Sequence, residues 1–325
     1  MFIHPSFLLF FMFLLFSVII TVSSNSWLFA WIGLEMNLLS FIPIMLKKLN
    51  KYSTEVTIKY FLIQTISSIY LLFFFLFMNN YLIITLVLVL MLKMGAAPFH
   101  QWLPSIVDGL SWPALFILLI LQKVNPLILM SFLVKPQSAM YLLQLFIVSS
   151  SLIGAIGGLS QISLRKILAF SSISHLSWLL SSFLVSNWAW LNYFFIYAFI
   201  LFSLMYTLYN MEIFSINDLL LKNKMNVSML VSISIMSIGG LPPFSGFVPK
   251  FIIMQSLFLN NLYFIMFFLL LSTFISLFFY SRMFLSILLL KTSLSGYAYQ
   301  YNYKLTIIFL NFSALFFPSL FMIFS

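Results

Sequence analysis

The chain has 325 residues, 63% of them hydrophobic and 6% charged, with a net charge of +10. A soluble domain carries roughly 25% charged residues, so no water-soluble fold of this length could bury so much apolar surface, and the solvent must be lipid. Cysteine is absent, which excludes disulfides, thiolate metal sites and iron–sulfur clusters. His4, His100 and His175 are too few and too scattered for a haem or zinc constellation, so no metal and no cofactor is expected in this chain. The positive charge reads as basic loops on one side of a membrane rather than as a nucleic-acid surface.

In chain order, apolar runs of the ~20 residues that a spanning helix needs fall at 3–22, 26–46, 55–77, 81–106, 110–131, 139–159, 163–185, 188–211, 226–259, 261–285 and 304–324. The runs are too long for strands and do not alternate. The expected fold class is an all-α polytopic membrane protein with about eleven transmembrane helices. The abundant Phe and Met are read as lipid-facing filler.

Two runs are interrupted. The fourth contains Lys93-Met-Gly-Ala-Ala-Pro-Phe-His-Gln-Trp-Leu-Pro104, and the ninth contains Gly239-Gly-Leu-Pro-Pro-Phe-Ser-Gly-Phe-Val-Pro-Lys250. Proline removes a backbone donor and clashes with the preceding turn. Both runs should therefore be broken helices, which a bilayer tolerates only where the break is buried in protein or lines a wet cavity. The breaks occupy equivalent places in spans 1–5 and 6–10. Because five is odd, the second group enters from the opposite side. The organisation expected is two inverted five-helix repeats, 1–131 and 139–285, each with a broken helix, plus one C-terminal helix at 304–324.

The basic residues Lys47, Lys48, Lys51, Lys59, Arg165, Lys166, Lys222, Lys224, Arg282, Lys291 and Lys304 all fall on one side of this arrangement, and Lys135 alone on the other. Such asymmetry places the basic side inward, so the N-terminus is expected inside and the C-terminus outside.

The remaining charges do not belong in lipid. Glu35 lies ten residues into the second span, ~15 Å deep, and Lys93 and Lys123 lie ~18–20 Å deep in theirs. Lys250 follows the second break. Each charge at mid-membrane costs about 2.5–3.5 kcal/mol, and such residues usually face a protein interior and mark an ion or proton path. Burial disfavours the charged form, whereas an opposite charge ~4 Å away at an effective dielectric of ~20 restores it by ~4 kcal/mol. A Glu–Lys pair that opens and closes is thus a proton switch. The alternative is a static ion pair that holds helices together. His175, in Ser171-Ser-Ile-Ser-His-Leu-Ser-Trp178, titrates near neutrality and suits a relay; its serines can hold water or carry hydrogen bonds. An interhelical hydrogen bond is the plainer reading of His175, and of His100.

Five strings carry a family likeness: Trp31-Ile-Gly-Leu-Glu-Met-Asn-Leu-Leu-Ser-Phe-Ile-Pro43, Ser53-Thr-Glu-Val-Thr-Ile-Lys-Tyr-Phe61, Lys93-Met-Gly-Ala-Ala-Pro-Phe-His100, Leu164-Arg-Lys-Ile-Leu-Ala-Phe-Ser-Ser-Ile-Ser-His175 and Gly239 to Lys250. Together they resemble the antiporter-like subunits of respiratory complex I. The stretch beyond about Leu257 matches by hydropathy alone. The resemblance implies that Glu35 is the carboxylate beside a pumping lysine, Lys93, and that Lys123 passes protons between half-channels. It places Lys250 near the exit route and His175 in the polar axis between them. It implies a chain lacking the first three of the fourteen spans of bacterial relatives, as animal mitochondrial versions do. It also implies the mitochondrial inner membrane, with the N-terminus in the matrix and the C-terminus in the intermembrane space. The partners implied are other membrane-arm subunits and membrane lipids, cardiolipin among them. Flavin, iron–sulfur clusters, NADH and ubiquinone would bind other subunits. The opening MFIHPSFLLFFMF lacks both a secretory signal and an Arg/Ser-rich presequence, the expectation for a chain made inside the organelle. Three rivals stand beside this reading: a subunit of a multisubunit sodium/proton antiporter, a structural membrane subunit without its own proton path, and a quinone-binding subunit.

Overall fold

The computed structural model describes residues 5–46, 51–77, 82–134, 136–186, 189–216, 218 and 225–291. The expected span at 304–324 lies outside them, as do His4, Lys47, Lys48, Lys135, Lys222, Lys224 and Lys304. Nearly all described residues are helical, because a backbone in lipid can satisfy its polar groups only within its own segment. Seven described helices are long and apolar enough to cross a membrane.

The chain divides into two compact units, Met1–Phe146 and Ile147–Ser325. The first unit contains α1 (Pro5–Ser23), α2 (Trp27–Met45), α3 (Lys51–Phe77), α4 (Leu82–Met94), α5 (Trp102–Val107), α6 (Trp112–Phe116) and α7 (Gln122–Leu133). Helix α8 (Gln137–Leu159) begins there and ends in the second unit, which also holds α9 (Leu164–Phe183), α10 (Ala189–Asn210), α11 (Met225–Gly239), α12 (Phe247–Leu259) and α13 (Tyr263–Lys291).

In the first unit α1 packs along α2, and α7 touches α1, α2 and α4. Gly33 makes the first contact close: a β-carbon there would run into Thr21 and the Ser17 carbonyl of α1. Small residues let membrane helices approach where no hydrophobic drive separates protein from lipid. In the second unit Gly154 serves in the same way, bringing α8 against the backbone of α9 at Ser174 and Phe170. Helix α9 is buried along almost its whole length. Its start is tied to the segment after α10 by a bridge between Ser163 and Ser215, with Leu164 N–H donating to Phe214 O at 3.2 Å. The Arg165 guanidinium lies 4.6 Å above the Phe214 ring.

Two expectations need correction. The fifth run, read as a plain span over 110–131, is irregular: α6 passes into a π-helical stretch, Ile117–Leu121, before α7 resumes with Pro126 inside it. Pro126 has no N–H for the Gln122 carbonyl, and the widened turns before it absorb the clash of its ring. The reading of Phe and Met as lipid-facing filler holds for Phe264, Phe267, Phe274 and Phe278, which are all well exposed, but Phe41, Phe279, Met91 and Met130 are core. The serines of α9 do carry hydrogen bonds, on their own helix. Ser171, Ser172, Ser174 and Ser177 each donate to the carbonyl three residues back, at 2.6–2.9 Å. A hydroxyl in an apolar surround finds its nearest acceptor there.

Candidate functional site

Both interrupted runs break where expected, and each break opens on a glycine in the left-handed region: Gly95 at φ 71° and Gly240 at φ 84°. A residue with a β-carbon pays about 1–2 kcal/mol for that conformation, and glycine does not. The last carbonyls of a helix have no partner within it and must be met from outside.

After α4, the Met91 carbonyl accepts from Ala96 N–H at 3.0 Å and that of Leu92 from Gly95 N–H at 3.1 Å, a Schellman closure. The Trp102 indole N–H also donates to Leu92 O, at 3.2 Å. The Gln64 amide of α3 donates to the Lys93 carbonyl at 3.3 Å. After α11, Gly240 N–H donates to Met236 O at 3.2 Å and Ser237 O at 3.1 Å. The two remaining carbonyls are met by a side chain from beyond the break: Lys250 Nζ donates to Gly239 O at 2.8 Å and Ile238 O at 3.4 Å. Gly246 lets the returning chain approach, because a β-carbon there would overlap the Ser237 carbonyl.

The first unit gathers a polar cluster around its break. Lys93 and Lys123 are 6% and 2% exposed, so neither ammonium faces lipid. Among the described residues, the Lys93 ammonium reaches a distant carbonyl, that of Gln64 at 3.5 Å. Glu35 on α2 lies within electrostatic reach of Lys93 and of Tyr60 on α3, yet the two charges are not in contact. The ion pair found among the described residues joins Lys59 to Glu55 on the surface of α3. One buried oxygen of Glu35, Oε2, has no hydrogen-bond partner among the described residues. The pair is therefore open, its carboxylate and ammonium near each other but unjoined. Beside it, Tyr60 O–H donates to Gln122 Oε1 at 2.9 Å, and the Gln122 amide donates to Asn37 Oδ1 at 3.0 Å. This chain links α3, α7 and α2 next to Lys123. Asn125, two residues on, donates to Ser17 Oγ of α1 at 3.2 Å.

The second unit places His175 of α9 among tyrosines. Its Nδ1 lies 2.6 Å from Tyr193 Oη, and the Tyr197 ring sits 4.6 Å from the imidazole at 32°. Both tyrosines are on α10, four residues apart and so on one face. Tyr280 of α13 is close to both and to Ser171. A cavity beside this cluster is lined by His175, Tyr193, Tyr197, Ile238, Gly246 and Pro249, among others.

The structure thus brings Glu35 and Lys93 together and sets Lys123 one residue from the Tyr60–Gln122–Asn37 chain. It ties Lys250 to the second break and puts His175 beside the cavity that the break borders. His100 is different: its Nδ1 meets Pro98 O at 3.2 Å within its own turn. Sequence reasoning missed Asn37, Tyr60, Gln64, Gln122, Tyr193 and Tyr197. The signal for Gln122 and Asn125 was polarity flanking Lys123 inside an apolar run. For Tyr193 and Tyr197 it was their helical spacing.

The family described as "NADH:quinone oxidoreductase/Mrp antiporter, TM" matches residues 24–82 and 76–276. The NADH-ubiquinone oxidoreductase chain 2 of Anopheles gambiae is 39% identical over 313 residues, 91% of this chain and 90% of the relative. That of Aedes aegypti is 38% identical over 310 residues, again 91% and 90%. Among solved structures, a chain of respiratory complex I from Thermus thermophilus with bound aureothin superimposes with a TM-score of 0.78 at 17% identity. The match covers 98% of this chain and 77% of that one.

Proposed function

Since the chain belongs to the NADH-ubiquinone oxidoreductase chain 2 family, we propose that it is a core membrane-arm subunit of a proton-translocating NADH:ubiquinone oxidoreductase. It moves protons from the matrix to the intermembrane space through a relay of Glu35, Lys93, Lys123, His175 and Lys250. Quinone reduction in other subunits drives the relay, and NADH, flavin, iron–sulfur clusters and ubiquinone bind there. The chain lies in the mitochondrial inner membrane against other membrane-arm subunits and lipids, its N-terminus in the matrix and its C-terminus in the intermembrane space.

The observation that carries the reading is the open Glu35–Lys93 pair at the first break. A buried lysine whose carboxylate is near but not joined can switch between an open and a closed state. Closing to ~4 Å favours the charged form by ~4 kcal/mol at an effective dielectric of ~20, and opening releases the proton. Moving a charge against ~100 mV costs about 2.3 kcal/mol, so the switch has enough energy to work against the membrane potential. A fixed structural pair would sit closed, as Lys59–Glu55 does.

The test is proton uptake per NADH oxidised by the assembled complex in sealed vesicles. Glu35→Gln and Lys93→Ala should each assemble and lose tenfold or more of the coupled uptake, about 1.4 kcal/mol or more. Lost assembly with normal coupling in the complexes that survive would make the pair structural.

A further inference from the structure

Resting on the relay just described, we propose that Trp31 is a positioning residue for the Glu35–Lys93 switch: its indole N–H is the second partner of the Glu35 carboxylate and holds it while the pair is open.

Two buried polar atoms one turn apart on α2 have no hydrogen-bond partner among the described residues, Trp31 Nε1 and Glu35 Oε2. The indole N–H only donates, and an ionised carboxylate only accepts. Residues four apart are neighbours on a helix surface, ~5–6 Å apart at their β-carbons. A long helical side chain leans back towards the N-terminus, over the residue four before it, so Glu35 leans over Trp31. At ~100° per residue the two stand two steps to either side of Gly33, whose face packs on α1. Both therefore fall on the far side of α2. An unmet buried donor and an unmet buried acceptor are each costly. A turn between staggered torsions of the Glu35 side chain joins them and removes both costs.

The other donors around the switch are engaged. Tyr60 O–H is held by Gln122 Oε1 at 2.9 Å, and its ring is fixed by Phe41 and Trp102, with centroids 5.3 and 6.2 Å away. The Trp102 indole donates to Leu92 O. Lys93 turns its ammonium to the Gln64 carbonyl at 3.5 Å. Among the described residues, Trp31 is the donor left for the carboxylate. An indole N–H gives up no proton in this role, so Trp31 holds the charge without entering the relay. The carboxylate moves from ammonium to indole, and Lys93 is left to pass its proton along the relay. When the carboxylate returns, Lys93 takes up a new one. The proton that moves is that of Lys93 alone, and Trp31 keeps its own.

Trp31→Phe keeps an aromatic ring and removes the donor. In the assembled complex in sealed vesicles it should lower proton uptake per NADH about tenfold, the worth of a hydrogen bond to a charged group. Combined with Glu35→Gln it should lower uptake no further, because the donor has lost its ionised partner; a merely structural tryptophan would multiply the two losses. In infrared difference spectra between the oxidised and the NADH-reduced complex, the carboxylate band that Glu35→Gln abolishes should shift in Trp31→Phe. Normal uptake in Trp31→Phe, multiplied losses in the double variant, or an unmoved Glu35 band would overturn the proposal. If Trp31→Phe fails to assemble, high-resolution maps of the unaltered complex at rest and in turnover decide. A Glu35 carboxylate within ~3.2 Å of Trp31 Nε1 in either state supports the proposal, and one out of the indole's reach in both overturns it. Glu35→Gln separates the two claims. Failed uptake there with normal uptake in Trp31→Phe sinks only this inference, while normal uptake in Glu35→Gln sinks the relay and this inference together.

Discussion

At the first break, the carbonyls that α4 leaves open are met by backbone N–H groups, the Trp102 indole and the Gln64 amide; at the second, half of those left by α11 are met by the ammonium of Lys250. Both breaks turn on a left-handed glycine, so the backbone solution is shared while the side-chain solution differs. Lys93 has no capping duty, and its ammonium can respond to Glu35. Lys250 has no carboxylate of its own: the five acidic residues are Glu35, Glu55, Asp108, Glu212 and Asp218, and none lies on α11, α12 or α13. Its charge is compensated instead by the negative end of a half-helix. A lysine used in that way couples its charge to the shape of the break, whereas Lys93 couples its charge to the position of another side chain.

Five substitutions would break or sharpen this contrast. The largest effect is expected from glycine. Gly246→Ala drives a β-carbon into the fixed Ser237 carbonyl and should cost about 3 kcal/mol. Gly95→Ala meets movable Leu103 and Trp102 side chains and adds the left-handed penalty, about 1–2 kcal/mol. The temperature at which the detergent-solubilised complex dissociates should fall further for the first; equal losses would mean that the two breaks are equally tight.

Next come the lysines. Lys250→Met leaves the Ile238 and Gly239 carbonyls without their charged donor and should cost about 1.5–3 kcal/mol of the same stability. Lys93→Met orphans no cap and removes a buried charge, so stability should hold or rise while coupled proton uptake collapses. Two lysine variants with the same stability loss would refute the division of labour. The smallest effect belongs to the indole cap. Trp102→Phe keeps an aromatic ring beside Tyr60, 6.2 Å away, and loses one donor to Leu92 O, for about 1 kcal/mol. Faster amide hydrogen exchange confined to 91–96 would report it, and unchanged exchange there would show that the Schellman closure suffices alone.

The sequence by itself was enough for the membrane, the two breaks and the charges inside the spans. Each follows from a local rule: apolar length, Pro and Gly in a helix, and the cost of charge in lipid. The family could be read in the strings around Glu35, Lys93, His175 and Lys250, because those strings are local too. The rest was decided by the tertiary structure. That Gln122 bridges Tyr60 and Asn37, and that Tyr193 and Tyr197 enclose His175, depends on which faces of separate helices meet, and a neutral polar side chain in an apolar run does not announce its partner. Nor could spacing reveal that Lys250 turns back to close the helix before it while Lys93 does not. Both lysines stand beside a Gly–Pro break, and only the path of the chain through that break sets which way each ammonium points.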